Sequence, residues 1–486
     1  MTNLSDLFPA GAGKQVSFTA SGNVTSSGKP VILNSDGTVS EVAQSSVTEA
    51  VGTPVAFGGG MSSSNVACCY DTTNSKVVIA YGDNNDSGYG KAIVGTVSGS
   101  TISFGTQVTF AGSGTVGDLS IVFDPDSGKV VIAFRDNNNS NYGTAIVGTV
   151  SGTSISFGSA AVFSSSGNNY NSAVYDTSND KVFISFTNAG ASNIGQGVVG
   201  TVSGTSISFG SPVTFHSAQP TYPTTSAFDS SANKVVTAYM DGTNGNSQAI
   251  VGTISGTSVS FGSATTFTTA YSADIWVSYD ANANKILISF EDVANSNYGS
   301  AIVGTVSGTS ISFGSKAVYE AGNGIFTTNV YDSNTQKVVI VYGEATNNYS
   351  TAVNATISGT SVSFTSPFQL SATYNNPQMP TFDSVNKKVV SAYADSGGTK
   401  ALVYTPPSTE TNLTATNFLG ISDAAISSAA SGNITIKGGI AATGLSSLTP
   451  ASDYYVQNDG TITTVSSSGK AGKALSATAI NLEYTS

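Results

Sequence analysis

The sequence predicts an all-β protein whose central part is a seven-bladed β-propeller. Three observations lead to this fold: one unit is repeated seven times, each unit contains four short segments with strand patterns, and small and β-branched residues dominate. The 486-residue chain has 53 glycines and only 9% charged residues, whereas a typical soluble domain has about 25% charged residues. Four-stranded units at a period of about 40–50 residues are typical of propeller blades.

Each repeat contains an aromatic residue, an aspartate and, five residues after the aspartate, a lysine. The seven aspartates, 51–53 residues apart, are Asp71, Asp124, Asp176, Asp229, Asp280, Asp332 and Asp383. The lysine opens an apolar run such as KVVIAY, and six repeats continue into a segment like AIVGTVSGTSISFG. Because the aspartate recurs at the same turn of every repeat, we interpret it as a hairpin-stabilising residue rather than a ligand site.

Turn-forming residues divide each repeat into its four predicted strands. In the second repeat, these strands are residues 119–123, 130–134, 145–150 and 155–163. Asp-Pro-Asp-Ser-Gly separates the first two, and Ser-Gly-Thr-Ser forms a tight hairpin between the last two.

The seventh repeat is incomplete, because Thr405-Pro406-Pro407 stands where its fourth strand should follow. The missing strand is predicted to come from the N-terminal side, since the sequence GTPVAF at 52–57 matches GSPVTF at 210–215. We therefore expect the propeller to span residues 51–405 and to leave no open sheet edge. Residues 1–50 and 406–486 share the patterns GNVT/GNIT and DGTV/DGTI and are expected to pack together as a small β accessory domain.

The composition excludes several classes of function. Seventeen basic against 29 acidic residues give a net charge of −12, which argues against nucleic-acid binding. No apolar run approaches the length of a membrane span, and the N-terminus lacks a signal-peptide pattern. A single arginine, Arg135, cannot form a three-arginine sialidase clamp, and the single histidine, His216, is expected to be an exposed loop residue. We therefore expect a protein that is not an enzyme.

Carboxylates leave two weaker alternatives. Asp83 and Asp86 lie in DNNDSG, which weakly resembles a calcium loop, although Asn and Asp at this density more often form turns. No cofactor is therefore expected, with Ca²⁺ as the candidate if one binds. Glu291 and Asp292 lie in a predicted loop, and acids from different blades could in principle form a glycosidase pair.

The variable loops suggest where a ligand would bind. The turns on one face of the predicted ring hardly vary, whereas the connections on the other face vary freely and are rich in Tyr, Asn, Ser and Gly, as adaptable binding loops are. The candidates for receptor or glycan contact are Tyr170, Tyr222, Tyr271, Tyr374, Asn169 and Asn375.

The repeats and the flanking sequences together resemble virion structural proteins of marine tailed bacteriophages. The resemblance covers the YD…KVVIAY…AIVGTVSGTSISFG repeats and the flanks MTNLSDLFPAG and NLTATNFLGISDAAISSAASGNITIKGG. It implies a virion protein of the tail-fibre, tail-tip or head-appendage type that recognises the host surface. The implied partners are other virion proteins and a host glycan or outer-membrane protein, with a homo-oligomer, such as a trimer, as the expected assembly.

Two further expectations follow from this resemblance. The apolar opening residues Leu4, Leu7, Phe8 and Pro9 are candidates for insertion into a virion socket. Two alternatives to host recognition stay open at this point: a decoration protein that binds no receptor, and a propeller enzyme that degrades host polysaccharide.

Overall fold

The computed structural model of the chain describes residues 14–59, 65–217, 221–373, 378–395, 398–467 and 469–483. The chain divides into two compact units. The larger comprises Thr48–Pro406, and the smaller combines the flanks up to Val47 and from Pro407 onward. Within the described ranges, no helix has both the length and the apolar character needed to cross a membrane.

In the larger unit, each of the seven repeats folds into an antiparallel sheet of five strands. The strands of each sheet are numbered from the inner strand outward. The inner strands are Val66–Asp71, Val116–Asp124, the second half of Ala161–Asp176, Thr221–Asp229, Ser272–Asp280, Gly324–Asp332 and Met379–Asp383. The second strands are Lys76–Asp83, Lys129–Asp136, Lys181–Asn188, Lys234–Asp241, Lys285–Asp292, Lys337–Glu344 and Lys388–Asp395.

The third strand of each repeat pairs with two short outer strands. The third strands are Tyr89–Ser98, Tyr142–Ser151, Ile194–Ser203, Asn246–Ser255, Tyr298–Ser307, Tyr349–Ser358 and Gly398–Thr405. The fourth strands of repeats one to six are Thr101–Phe104, Ser154–Phe157, Ser206–Phe209, Ser258–Phe261, Ser310–Phe313 and Ser361–Phe364. The fifth strands are Val108–Ala111, the first half of Ala161–Asp176, Val213–His216, Thr265–Thr268, Ala317–Glu320 and Phe368–Ser371. Short 3₁₀ turns at Asn84–Asp86, Ala189–Ala191 and Val293–Asn295 connect three of the second strands to their third strands.

The repeats are arranged in a closed ring. Inner strands of successive repeats contact one another in chain order, and the inner strand of the seventh repeat contacts that of the first. Between neighbouring sheets, an aromatic ring on the fifth strand packs against a ring on the next second strand, as in Phe163 against Phe186 with centroids 5.3 Å apart. The predicted all-β propeller fold is confirmed.

The N-terminal segment completes the seventh repeat, as the sequence predicts. Ala50–Val51 and Val55–Gly58 both pair with the third strand of that repeat, Gly398–Thr405. The register of Val55–Gly58, with its irregularity before Gly58, reproduces that of the fifth strand of the first repeat. One segment thus supplies both outer strands and leaves the third strand paired on each side.

The predicted single fourth strand over residues 155–163 is wrong, because the chain leaves the ladder after Phe157 and resumes pairing at Ala161. Gly158 lies at the break. A Cβ at Gly158 would be 1.8 Å from the Thr205 carbonyl oxygen of the next repeat. Because the backbones of two repeats meet here, only glycine fits at position 158.

The repeated aspartate stabilises the turn after the inner strand, which confirms the structural interpretation. Asp176 is 1% exposed, and its Oδ1 accepts hydrogen bonds from the backbone N–H groups of Ser178 at 2.8 Å and Asn179 at 3.1 Å. The same carboxylate's Oδ2 accepts from Asn179 Nδ2 at 2.8 Å. The aspartate therefore satisfies turn donors that would otherwise be buried without partners.

The smaller unit interleaves the two flanks of the chain. One sheet has the order Gln15–Thr19, Ser431–Ile436, Phe418–Ser422, Pro30–Leu33 and Val39–Glu41. A second sheet has the order Ile440–Ala441, Ala479–Leu482, Gly469–Ser476, Asp453–Val456 and Ile462–Thr463, and Gln44–Val47 pairs with Ser408–Thr411. The two DGT turns match: Asp36 and Asp459 each accept hydrogen bonds from the backbone N–H and the hydroxyl of the threonine two residues later.

Candidate functional site

The inner strands carry the most unusual backbone in the ring. In five repeats, the pairing of the inner and second strands is interrupted by a β-bulge, as where the register passes from Gly117↔Arg135 to Ser120↔Ala133. In four of these bulges a non-glycine residue has positive φ: Asp118 (47°), Tyr170 (53°), Asp274 (46°) and Phe326 (54°). This conformation is disfavoured for large side chains, and bulges of this kind redirect side chains near functional sites.

Three of the bulges are held by hydrogen bonds with the following repeat. Asn171 Nδ2 donates to the Asp118 carbonyl oxygen at 2.9 Å, and the Thr224 hydroxyl donates to the Tyr170 carbonyl oxygen at 2.5 Å. The backbone N–H of Phe326 donates to Asp274 Oδ2 at 2.6 Å. These bonds between repeats offset the backbone strain and fix the position of the bulge residues around the axis of the ring.

A cavity of about 260 Å³ lies among the inner strands. Repeats one to four and seven contribute short stretches of their inner strands to its lining, including Asp118, Tyr170 and Asn171. The fifth repeat contributes only Trp276, and no described residue of the sixth repeat lines the cavity. Of the sequence-predicted contact residues, Tyr170 is the one found here.

Trp276 occupies a position that is equivalent in all seven repeats. The residues at this register, each opposite the same position of its second strand, are Ala67, Ser120, Ser172, Thr225, Trp276, Thr328 and Met379. The half-buried indole of Trp276, the only tryptophan of the chain, therefore stands in a ring of smaller or flexible side chains. The sequence analysis missed Trp276 as a site residue, although its departure from the repeat pattern was a usable signal.

Two serines of this ring keep a hydrogen-bond donor. Ser120 Oγ accepts the backbone N–H of Ala173 at 2.8 Å, and Ser172 Oγ accepts that of Ser226 at 3.0 Å. A hydroxyl that accepts one bond still has its own proton to donate. Asn171 lies beside them in the lining, and its buried Oδ1 has no hydrogen-bond partner in the described part of the chain.

The charges at the cavity compensate each other. Asp118 pairs with Arg135, with NH1 at 2.8 Å from Oδ2, while burial raises the pKa of Asp118 against the opposing effect of the guanidinium. Arg135 NH1 also donates to Asn169 Oδ1 at 2.5 Å, so this predicted contact residue serves to orient the arginine. Burial raises the pKa of the Cys68 thiol to about 12, which keeps this lining residue uncharged.

The other predicted contact residues are not brought to the cavity. Tyr271 precedes the inner strand of the fifth repeat, is 46% exposed and does not line the cavity. The backbone of Tyr222 belongs to the inner strand Thr221–Asp229, but its side chain lies outside the described atoms. Tyr374 and Asn375, like the attachment candidates Leu4, Leu7, Phe8 and Pro9, lie outside the described residues.

A carboxyl pair lies at the bulge of the fifth repeat. Burial and, after it, the charge of the neighbouring Asp274 carboxyl and a hydrogen bond with it raise the pKa of Glu291 to about 7. The prediction that Glu291 and Asp292 lie in a loop is wrong. Both residues belong to the strand Lys285–Asp292, where neighbouring side chains point to opposite faces, and Asp292 instead pairs with Lys316.

The metal candidates Asp83 and Asp86 both bind a lysine. Lys91 Nζ lies 2.9 Å from Asp83 Oδ2 and 2.8 Å from Asp86 Oδ2, so an ammonium group already stands between the two carboxylates. In the described ranges, no three His, Cys, Asp or Glu residues are grouped so that they could hold a metal ion.

His216 differs from its predicted role as an exposed loop residue. It ends the fifth strand of the third repeat, Val213–His216, and its side chain is half-buried. Its ring packs 5.1 Å from that of Tyr239, and its Nε2 lies 3.3 Å from Asp241 Oδ1. The strand extends one residue further than the apolar pattern indicates, and this turns the imidazole toward the next repeat.

Comparisons with known proteins give structural likeness without sequence relationship. No family model and no curated protein matches the chain. Similar solved structures include AofleA from Arthrobotrys oligospora, 11% identical, covering 74% of this chain and 98% of that one with a TM-score of 0.43. A mutant of the Aleuria aurantia lectin in complex with α-methyl-L-fucoside is 11% identical, covering 77% and 98% with a TM-score of 0.40. The NanB sialidase from Streptococcus pneumoniae is 12% identical, covering 72% and 70% with a TM-score of 0.42. At these values, no residue of those proteins can be placed on this chain.

Proposed function

We propose that this protein is a non-enzymatic bacteriophage virion protein, of the tail-fibre, tail-tip or head-appendage type, whose propeller binds a carbohydrate of the host surface. The observation that carries the binding proposal is the axial cavity, whose lining includes Trp276 and the hydroxyl-bearing Ser120 and Ser172. Flat aromatic surfaces beside convergent polar groups are features of small-molecule sites, and both match a sugar ring, which has an apolar face and hydroxyl edges.

The virion location is supported by the repeats and both flanks, which resemble phage virion proteins. In this proposal, the smaller unit and the apolar opening Leu4, Leu7, Phe8 and Pro9 attach the protein to other virion proteins. The propeller is left free to meet a host glycan. A homo-oligomer, such as a trimer in a fibre, would present several copies and raise the avidity for a repetitive surface polymer.

The experiment is a glycan-binding assay combined with phage adsorption. Purified protein is tested against an array that includes polysaccharide from the host envelope, and is then added in excess to phage and host cells. We expect binding to a host glycan and a concentration-dependent reduction in adsorption. Failure to bind any glycan, with adsorption unchanged, would instead support a decoration protein that covers the virion surface.

One observation favours a second function, polysaccharide degradation. The Asp274–Glu291 pair holds a carboxyl with a pKa of about 7, which is the property of a general acid at neutral pH. If the chain were a glycosidase or lyase, host polysaccharide would release reducing ends or unsaturated products, and Glu291→Gln would abolish that release. We expect no release from the unaltered protein, because Asp274 is not among the residues that line the cavity.

A further inference from the structure

We infer that the axial cavity binds one uncharged pyranose ring, stacked on the indole of Trp276. This inference rests on the proposed glycan-binding function and goes beyond it, because it assigns the site, the number of sugar rings and their charge. It also assigns the binding to the axis of the ring rather than to the loops between repeats.

The size of the cavity limits what it can hold. Its volume of about 260 Å³ lies just below the roughly 300–1,000 Å³ of pockets that bind drug-sized ligands. A single sugar ring is of the right size, whereas an extended oligosaccharide is not. A longer glycan would therefore place one residue or a terminal sugar in the cavity and leave the rest outside.

The shape of the lining identifies the stacking surface. The inner strands of the first four repeats and the seventh form the rest of the wall, and Trp276 is the sole contribution of the fifth repeat. In a ring of seven, the fifth position lies opposite the first two, where the equivalent residues are Ala67 and Ser120. The large indole thus faces small side chains, and this pairing of large and small residues leaves space for a flat ligand.

The polar groups of the wall match hydroxyl groups. Ser120 and Ser172 each accept a backbone N–H and retain a proton to donate. Asn171 Oδ1 is an acceptor without a partner, and a buried polar atom of this kind costs free energy until a ligand or water satisfies it. A sugar hydroxyl in the cavity can accept a hydrogen bond from either serine.

The charge balance selects against acidic sugars. Asp118 uses the chain's only arginine, so the lining has no unpaired cation for a carboxylate ligand. An acidic sugar would bring a second carboxylate near Asp118 and lose its hydration without compensation. We therefore expect neutral hexoses to bind in preference to uronic or sialic acids.

The single tryptophan allows a direct test. The full-length protein is titrated with the methyl glycosides of glucose, galactose, mannose and fucose, and with methyl glucuronide as the charged counterpart of methyl glucoside. We expect at least one neutral glycoside to change the Trp276 emission saturably and to protect it from acrylamide quenching. Emission that stays unchanged with every neutral glycoside, or an equal response to the glucuronide and its neutral counterpart, would overturn the inference.

Variants separate this inference from the proposed function. Trp276→Ala is expected to weaken binding of the best glycan by roughly 10–100-fold, as for other aromatic contacts at the centre of an interface, and Trp276→Phe is expected to lose less. Tyr349→Ala, which removes a 37%-exposed ring outside the cavity, serves as the control. If folded Trp276→Ala binds a glycan as tightly as the unaltered protein does, the axial site is wrong although the protein binds glycans. If no glycan binds at all, the proposed function itself is wrong.

Discussion

Single residues that depart from the repeat distinguish the site from the scaffold. Seven copies of one unit share the same backbone requirements, so residues needed for folding recur at equivalent positions. Trp276 stands where most of the other repeats have a smaller residue. Arg135 and Glu291 occupy a second equivalent position, where the first, third and sixth repeats have Gly82, Thr187 and Gly343. All three lie at or beside an inner-strand bulge, Arg135 in the second repeat and the other two in the fifth.

Glu291 predicts a pH dependence of stability. Burial and then the Asp274 carboxyl raise its pKa from 4.5 to about 7, so between these values the folded state holds a proton that the unfolded state releases. Stability from this group is present below pH 4.5 and is lost as the pH rises through about 7. Because the side chain is half-exposed, we expect roughly 1 kcal/mol after allowing for solvent screening.

The measurement is denaturant unfolding of the unaltered protein and Glu291→Gln at pH 5 and pH 8. The neutral amide should remove this part of the pH dependence, so the variant gains stability relative to the unaltered protein at pH 8. Glu344→Gln, in the equivalent strand of the sixth repeat, is the control because Glu344 contacts Asn347 rather than another carboxyl. Parallel changes in all three proteins would contradict the prediction.

The site residues were only partly predictable from the sequence. Tyr170 was predicted to be a contact residue because it lies in a variable, Asn-rich connection, and it does line the cavity. Trp276 was missed because it lies within a strand pattern, where an aromatic residue is read as core. Sequence order shows which residues share a strand, but not which residues from six different repeats meet at the cavity.

Among the elements, the outer strands depend on one glycine per repeat. At the end of the SFG motif, a Cβ on Gly105, Gly158, Gly210, Gly262 or Gly314 would lie 1.8–1.9 Å from a carbonyl oxygen in the hairpin of the next repeat. The sixth repeat has Thr365 at this position. The exception is explained by the seventh repeat, whose third strand ends at Thr405 without a hairpin to a fourth strand.

Gly158→Ala is therefore expected to destabilise the propeller. The new methyl group would overlap the Thr205 carbonyl oxygen, and relief requires a backbone shift between two repeats, at a cost of about 1–3 kcal/mol. The expected result is a lower melting temperature in calorimetry. Gly112→Ala is the matched control, since its Cβ would meet only the Thr109 methyl at 3.5 Å; an equal effect of both substitutions would show that the close approach is unimportant.

The sequence predicted the existence and order of the strands better than their ends. Apolar alternation identified the inner, second and third strands, because each has one or both faces buried. The division of the outer strand after Phe157 was not predicted. The close approach of Gly158 to the hairpin of the next repeat could not be seen in the sequence of one repeat. The position of His216 was mispredicted for a similar reason: its partner, Asp241, belongs to the fourth repeat.

At the scale of the whole molecule, the number of repeats alone does not show how the ring is closed. The seventh repeat brings three strands, and the N-terminal segment brings the other two. This segment also reproduces both contacts that join neighbouring repeats elsewhere. A Cβ on Gly52 would lie 1.7 Å from the Ser100 carbonyl oxygen, and the Phe57 ring packs 5.3 Å from Tyr81. The segment therefore links the last repeat to the first.

Removal of this segment should open the ring. We compare a chain of residues 48–406, which retains the closing strands, with one of residues 65–406, which lacks them. In the shorter chain, the third strand Gly398–Thr405 would have an unpaired edge, and Tyr81 would lose its aromatic partner Phe57. Exposed edges of this kind pair with other chains, so we expect a lower melting temperature and aggregation in light scattering. Adding a synthetic peptide of residues 48–59 should restore a monomer, because it supplies both strands without a covalent link. A 65–406 chain that is monomeric and as stable as the longer one would show that the ring is held by the contacts between inner strands alone.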